Sequence, residues 1–130
     1  PNLNFLGKRE PGIYGNKTWD DFFESLKKNY PSIEFYYYQS NVQGELINAL
    51  QDFSAKVDAI ILNAGAYTHT SIAIGDCIKS LNKNVIEVHI SNTFAREDFR
   101  QISFIAPHCN GSIIGFGMKS YTLAVQSLFE

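Results

Sequence analysis

A chain of 130 residues and 14.7 kDa has the length of one domain, and 45% hydrophobic with 18% charged residues suits a globular fold rather than a disordered or fibrous one. A formal net charge of -2 and an isoelectric point near 5.9 give no electrostatic ground for nucleic acid or an anionic membrane as partner. The 2 cysteines, Cys77 and Cys109, are too few for a disulfide framework and lack metal-ligand spacing, so they read as free thiols of a reducing cytoplasm. No apolar run reaches the ~18–20 residues of a membrane span, and no charged-then-apolar signal segment opens the chain.

In chain order, Trp19, Phe22, Phe23, Leu26 and Tyr30 fall on one helical face. Thr18 followed by Asp21 resembles a capping box, and Pro31 ends the segment. Residues 34–38 carry three tyrosines and read as a strand. Leu46, Leu50 and Phe53 make a second helical stripe. Residues 58–62 are then a short, nearly continuous apolar run, as in a strand buried on both faces of a parallel sheet. Ile74, Cys77, Ile78 and Leu81 form a third stripe, capped by Thr70 or Ser71. Residues 85–90 and 112–116 are two further buried strands, and Tyr121, Ala124, Val125 and Leu128 form the last stripe.

This alternation predicts an α/β fold of the flavodoxin-like type, a doubly wound parallel five-stranded sheet with helices on both faces, in a single domain over residues 1–130. Such folds begin with a strand, whereas Pro1-Asn-Leu-Asn reads as the loop after one. The first strand is therefore expected to lie ahead of Pro1.

In open α/β sheets functional groups gather beyond the carboxyl ends of the strands. Four polar segments lie at such points: residues 1–15, 63–71, 87–92 and 95–100. The first is rich in glycine and proline and holds Arg9 and Tyr14. Tyr14 reads either as one of 7 packed tyrosines or as a base whose phenol is acidified by the Arg9 guanidinium. Lowering a phenol pKa from about 10 to about 7 takes roughly 4 kcal/mol, much of which one partly desolvated arginine supplies. His69 and His89 each follow a buried strand, with Asn63, Ser91 and Arg100 close by in sequence. Together they are expected to line a pocket for a small polar anion. The N–H groups around Ile90 and Ser91, with the charge of Arg100, suit a carboxylate. His108 reads as a surface histidine. The chain has no phosphate-cradling glycine loop, no zinc motif and no nucleophile elbow.

The four segments, in this order, resemble the type II 3-dehydroquinate dehydratases: Pro1 to Gly15, Leu62 to Ser71 (Leu-Asn-Ala-Gly-Ala-Tyr-Thr-His-Thr-Ser), Glu87 to Asn92 (Glu-Val-His-Ile-Ser-Asn) and Ala95 to Arg100 (Ala-Arg-Glu-Asp-Phe-Arg). The resemblance implies loss of water from 3-dehydroquinate to 3-dehydroshikimate, in the shikimate route, by anti elimination through an enolate. It implies no cofactor, metal or Schiff base. Carried over by position, Tyr14 is the base, Arg9 stabilises its anion and His89 is the acid for the departing hydroxyl. Asn2 polarises the developing enolate through a water. Asn63, His69, Ile90, Ser91 and Arg100 hold the substrate's hydroxyls and carboxylate. Asp76 reaches a neighbouring subunit's site, in a family that builds a dodecamer from trimers. A competing reading is a flavodoxin-like binding or signalling module. An FMN carrier wants a hydroxyl-rich phosphate loop where Arg9 and Pro11 stand, and a receiver domain wants an aspartate where Asn63 stands.

Overall fold

Each apolar stripe read from the sequence forms a helix in a computed structural model that describes residues 1–3 and 18–129. Arg9 and Tyr14 lie outside the described residues. Helix α1 (Trp19–Asn29) starts where Thr18 accepts the Asp21 N–H at 3.2 Å. Asp20 and Asp21 in its first turn and Lys27 and Lys28 in its last complement the helix dipole. Helix α2 (Gln43–Ser54) buries Leu46 and Leu50. Helix α3 (Ile72–Ser80) is capped by Ser71 rather than Thr70, the Ser71 hydroxyl accepting the Ile74 N–H at 2.9 Å. Helix α4 (Lys119–Ser127) buries Tyr121, Ala124 and Val125.

Three strands, β1 (Ala59–Leu62), β2 (Asn84–His89) and β3 (Gly111–Ile114), form a parallel sheet in the order β1-β2-β3. Successive side chains of a strand point to opposite faces, and β2 divides its residues accordingly. Ile86 and Val88, with Ile90 just beyond, join Phe22 and Leu26 of α1 and Tyr121, Ala124 and Val125 of α4 in one core. Val85 joins Leu46 and Leu50 of α2 and Ile74, Cys77 and Ile78 of α3 in the other. Helices thus cover both faces. Ile74 is fully buried in the second core, so Ile74→Ala leaves a cavity that neighbouring helices cannot close. The expected loss is about 2–5 kcal/mol of unfolding free energy, read from urea denaturation.

Among the described residues the sheet has three strands, not five. The expected strand at residues 34–38 does not form, because the segment has no ladder partner. Residues 32–39 and 58–63 instead line, without a break, one cavity of about 710 Å³. An unbroken run of lining residues includes both side-chain parities. It is therefore the edges of these segments, not their faces, that look into the cavity.

Candidate active site

Because the three strands are parallel, their carboxyl ends share one end of the sheet. A smaller cleft of about 150 Å³ opens there. It is lined by Asn2, Asn63, His69, His89, Ile90, Ser91 and Arg100 of the residues expected from the sequence, and by Thr93 and Arg96 among those that were not. Asp76 is exposed on α3 and does not line this cleft. The larger cavity between residues 32–39 and β1 is apolar over much of its wall and distinct from these polar groups, although Asn63 touches both.

The spacing Glu87-Val88-His89 places the carboxylate and the imidazole side by side on one face of β2. The His89 Nε2–H donates to Glu87 Oε2 at 2.9 Å, and both side chains are almost wholly buried. This contact leaves Nδ1 as the ring atom available to a bound molecule. Burial pushes the Glu87 carboxyl up, but hydrogen bonds from His89, Ser112 and Ser103, and the charge of His89, bring it below its ordinary value. Sequence reading placed Glu87 only inside a motif and gave it no role. The two-residue spacing was the signal that joins it to His89.

His69 stands in a 3-10 turn (Gly65–His69) after β1, its ring centroid 6.1 Å from that of His89. Its Nδ1–H donates to the Ile102 carbonyl at 2.7 Å, which fixes the tautomer and leaves Nε2 as an acceptor. Asn63 is held at both ends of its amide. Its Nδ2 donates to the Tyr121 hydroxyl at 2.8 Å, and its Oδ1 accepts the Gly65 N–H at 3.0 Å. Burial, above all, pushes the Tyr121 phenol up, so it stays neutral beside the Asn63 amide.

The backbone leaving β2 is fixed by two bonds, Gly115 N–H to the His89 carbonyl (3.0 Å) and Gly117 N–H to the Ile90 carbonyl (2.9 Å). Gly115 has φ 96°, and a Cβ there would stand 3.2 Å from the Asn92 Cβ. Glycine thus permits both the turn and the close approach of the Ser91–Asn92 backbone. Arg96 Nη1 donates to the Ser91 hydroxyl at 3.3 Å. Arg100, expected to bring free charge, is paired with Glu97 and lies over the Phe99 ring. Glu97 is held below its ordinary range by its own backbone N–H and by Arg100. Asn2 takes a left-handed conformation (φ 65°), which asparagine tolerates, and its N–H donates to Asn41 Oδ1 at 2.8 Å. The Tyr67 hydroxyl donates to the Asn41 carbonyl at 2.7 Å, so Asn41 ties the opening segment to the turn that carries His69. Its role was not legible from sequence.

A parallel α/β sheet with a buried carboxylate–imidazole pair and a second, tautomer-fixed histidine at its strand ends is built for proton transfer on a small polar molecule. Residues 1–129 match the family model described as dehydroquinase class II, and the chain belongs to that family. It is 50% identical over 132 residues to a 3-dehydroquinate dehydratase of Campylobacter lari, covering 100% of this chain and 82% of the relative. It is 52% identical over 136 residues to one of Fusobacterium nucleatum, covering 100% and 92%. The crystal structure of a type II dehydroquinase from Butyrivibrio crossotus superposes with a TM-score of 0.94 at 45% identity, over 98% of this chain and 91% of that one. One from Propionibacterium acnes gives 0.92 at 36% identity, over 98% and 90%.

Proposed function

We propose that this chain is a 3-dehydroquinate dehydratase, a hydro-lyase that removes water from 3-dehydroquinate by anti elimination through an enolate. The observation that carries the reading is the buried Glu87–His89 pair in a cleft shared with His69, Asn63 and Ser91. Family membership makes the elimination the chemistry to assign to it. The Tyr14 phenolate, stabilised by Arg9, takes the proton next to the ketone. The electron pair rests on the enolate oxygen, where Asn2 supports the charge through a water. As the enolate collapses, the C–O bond to the departing hydroxyl breaks and His89 supplies the proton that makes it water. Asn63, His69, the Ile90 and Ser91 backbone and Arg100 hold the hydroxyls and the carboxylate, and the protein itself supplies every acid and base. Arg96, bonded to Ser91, joins Arg100 on the carboxylate side. A binding or signalling module of the FMN or receiver type is not favoured by a family match over residues 1–129.

The test is a spectrophotometric assay of the purified chain with 3-dehydroquinate. Absorbance of the conjugated enone is expected to rise. A folded protein giving no rise would overturn the reading.

The same proposal includes the assembly. Ile72, Phe94, Phe99, Ile102, Phe104 and Phe116 are large, apolar and exposed, on α3 and on the loops after β2 and β3. Ile72 and Asp76 share one face of α3, which supports a homo-oligomer built from trimers to a dodecamer in which Asp76 serves a neighbour's site. Two free thiols fit work in the cytoplasm, on the shikimate route, as one catalytic domain over residues 1–130. No helix of the described residues is long and apolar enough to cross a membrane. The five-stranded form of the sheet is supported by the cavity between β1 and residues 32–39, a segment of strand composition. The Trp19 Nε1–H lines it and lacks a partner among the described residues, as a donor awaiting a backbone carbonyl would.

A further inference from the structure

The Glu87 carboxylate has more partners than holding His89 requires. It is 1% exposed and accepts from three side chains: His89 Nε2–H at 2.9 Å, the Ser103 hydroxyl at 2.8 Å and the Ser112 hydroxyl. Ser112 is the residue of β3 directly across from Glu87 in the parallel register. Ser103 lies in the loop after β2, and its oxygen accepts the N–H groups of Ile105 (3.2 Å) and Ala106 (2.9 Å). With both acceptor positions used, its single proton is committed to Glu87. The residue before it, Ile102, is the one whose carbonyl takes the His69 Nδ1–H. A two-residue stretch, 102–103, therefore bears on both histidines of the cleft.

A carboxyl this deeply buried favours its neutral form unless donors hold the charge. If Glu87 were neutral it would no longer hold the His89 Nε2–H, and the ring would lose the contact that aims its Nδ1 at the substrate. We propose that Ser103 and Ser112 are positioning residues for the elimination. Their hydroxyls keep Glu87 ionised and in one orientation, so that it holds the His89 Nε2–H and turns Nδ1, which carries the proton given to the departing hydroxyl, towards the substrate. Other ionisable groups surround the pair without bonding Glu87. Cys109 is a thiol pushed up to about 12 by burial and then by the Glu87 charge, and so stays neutral. His69 is stacked beside His89, and Arg96 and Arg100 line the outer cleft, Arg100 paired with Glu97. The serines are thus the local donors whose removal changes Glu87 without removing a charge.

The kinetic part of this inference rests on the dehydratase reading; the ionisation part does not. The experiment compares the full chain with Ser103→Ala, Ser112→Ala and Ser112→Thr. It measures kcat and KM with 3-dehydroquinate, the Glu87 titration by carbon-13 NMR (assigned with Glu87→Gln) and the His89 tautomer by nitrogen-15 NMR. Each alanine variant is expected to lower kcat about tenfold with KM within about twofold. It is also expected to raise the Glu87 titration by about one pH unit, because one donor to the anion is lost. Ser112→Thr keeps the hydroxyl and is expected to titrate as the parent does. Alanine variants with unchanged Glu87 titration and His89 tautomer would overturn the proposal. So would a Ser112→Thr protein that titrates like Ser112→Ala. Shifted NMR titrations in a protein that never converts 3-dehydroquinate would instead sink the dehydratase reading and leave the clamp standing.

Discussion

Replacing Tyr14 by phenylalanine is expected to lower kcat on the order of 10³-fold or more while KM changes by no more than a few-fold, since a positioned general base contributes about 10²–10⁴. The change removes one oxygen and leaves the ring. Contacts that hold substrate are therefore kept, and only the acceptor for the proton next to the ketone is lost. A loss carried by kcat alone is the mark of an interaction made in the transition state. The measurement is steady-state turnover beside direct binding of 3-dehydroquinate by calorimetry. Near-normal turnover would remove Tyr14 as the base. Tyr14 and its partner Arg9 rest on motif position, both lying outside the described residues, so this variant is the most direct check on the carry-over.

His89→Ala is expected to cost about 10³-fold in kcat, for a different reason. Its ring is the acid for the leaving hydroxyl, and it is also the charge partner of Glu87 at 2.9 Å. Removing it leaves a buried carboxylate with only the two serine donors. The variant should therefore lose stability as well as rate, and chemical denaturation measured beside kcat separates the two. His89→Gln, which can still offer an N–H to Glu87, is expected to recover stability without recovering turnover. A drop in kcat below tenfold in the folded alanine variant would move the acid role away from His89.

Much of this architecture can be read from the chain because burial leaves a periodic trace. The stripes led by Phe22, Leu46, Ile74 and Tyr121 are helices because a 3.6-residue period matches one covered face. The runs around Ile60, Val88 and Ile113 are strands because both faces of the sheet are covered. His69, His89, Asn63 and Ser91 converge because each stands at or beyond the carboxyl end of a parallel strand, where proximity follows from topology. Other features depend on pairing, which no single segment encodes. Residues 34–38 have strand composition but no neighbour to bond with, so composition did not suffice. Glu87 reads as an isolated charge until the register sets Ser112 opposite it. Arg96 and Arg100 are alike in sequence, yet one reaches Ser91 and the other is neutralised by Glu97. Those outcomes were decided by side-chain geometry after folding.

The cavity beside β1 has a consequence for how the sheet can be completed. Among the described residues β1 has a single ladder neighbour, β2. Its other edge borders the cavity, so a strand seated there would have β1 on one side and residues 34–38 on the other. Tyr36, Tyr37 and Tyr38, all exposed, stand across the same gap. One strand seated there would thus turn a three-stranded sheet into a five-stranded one.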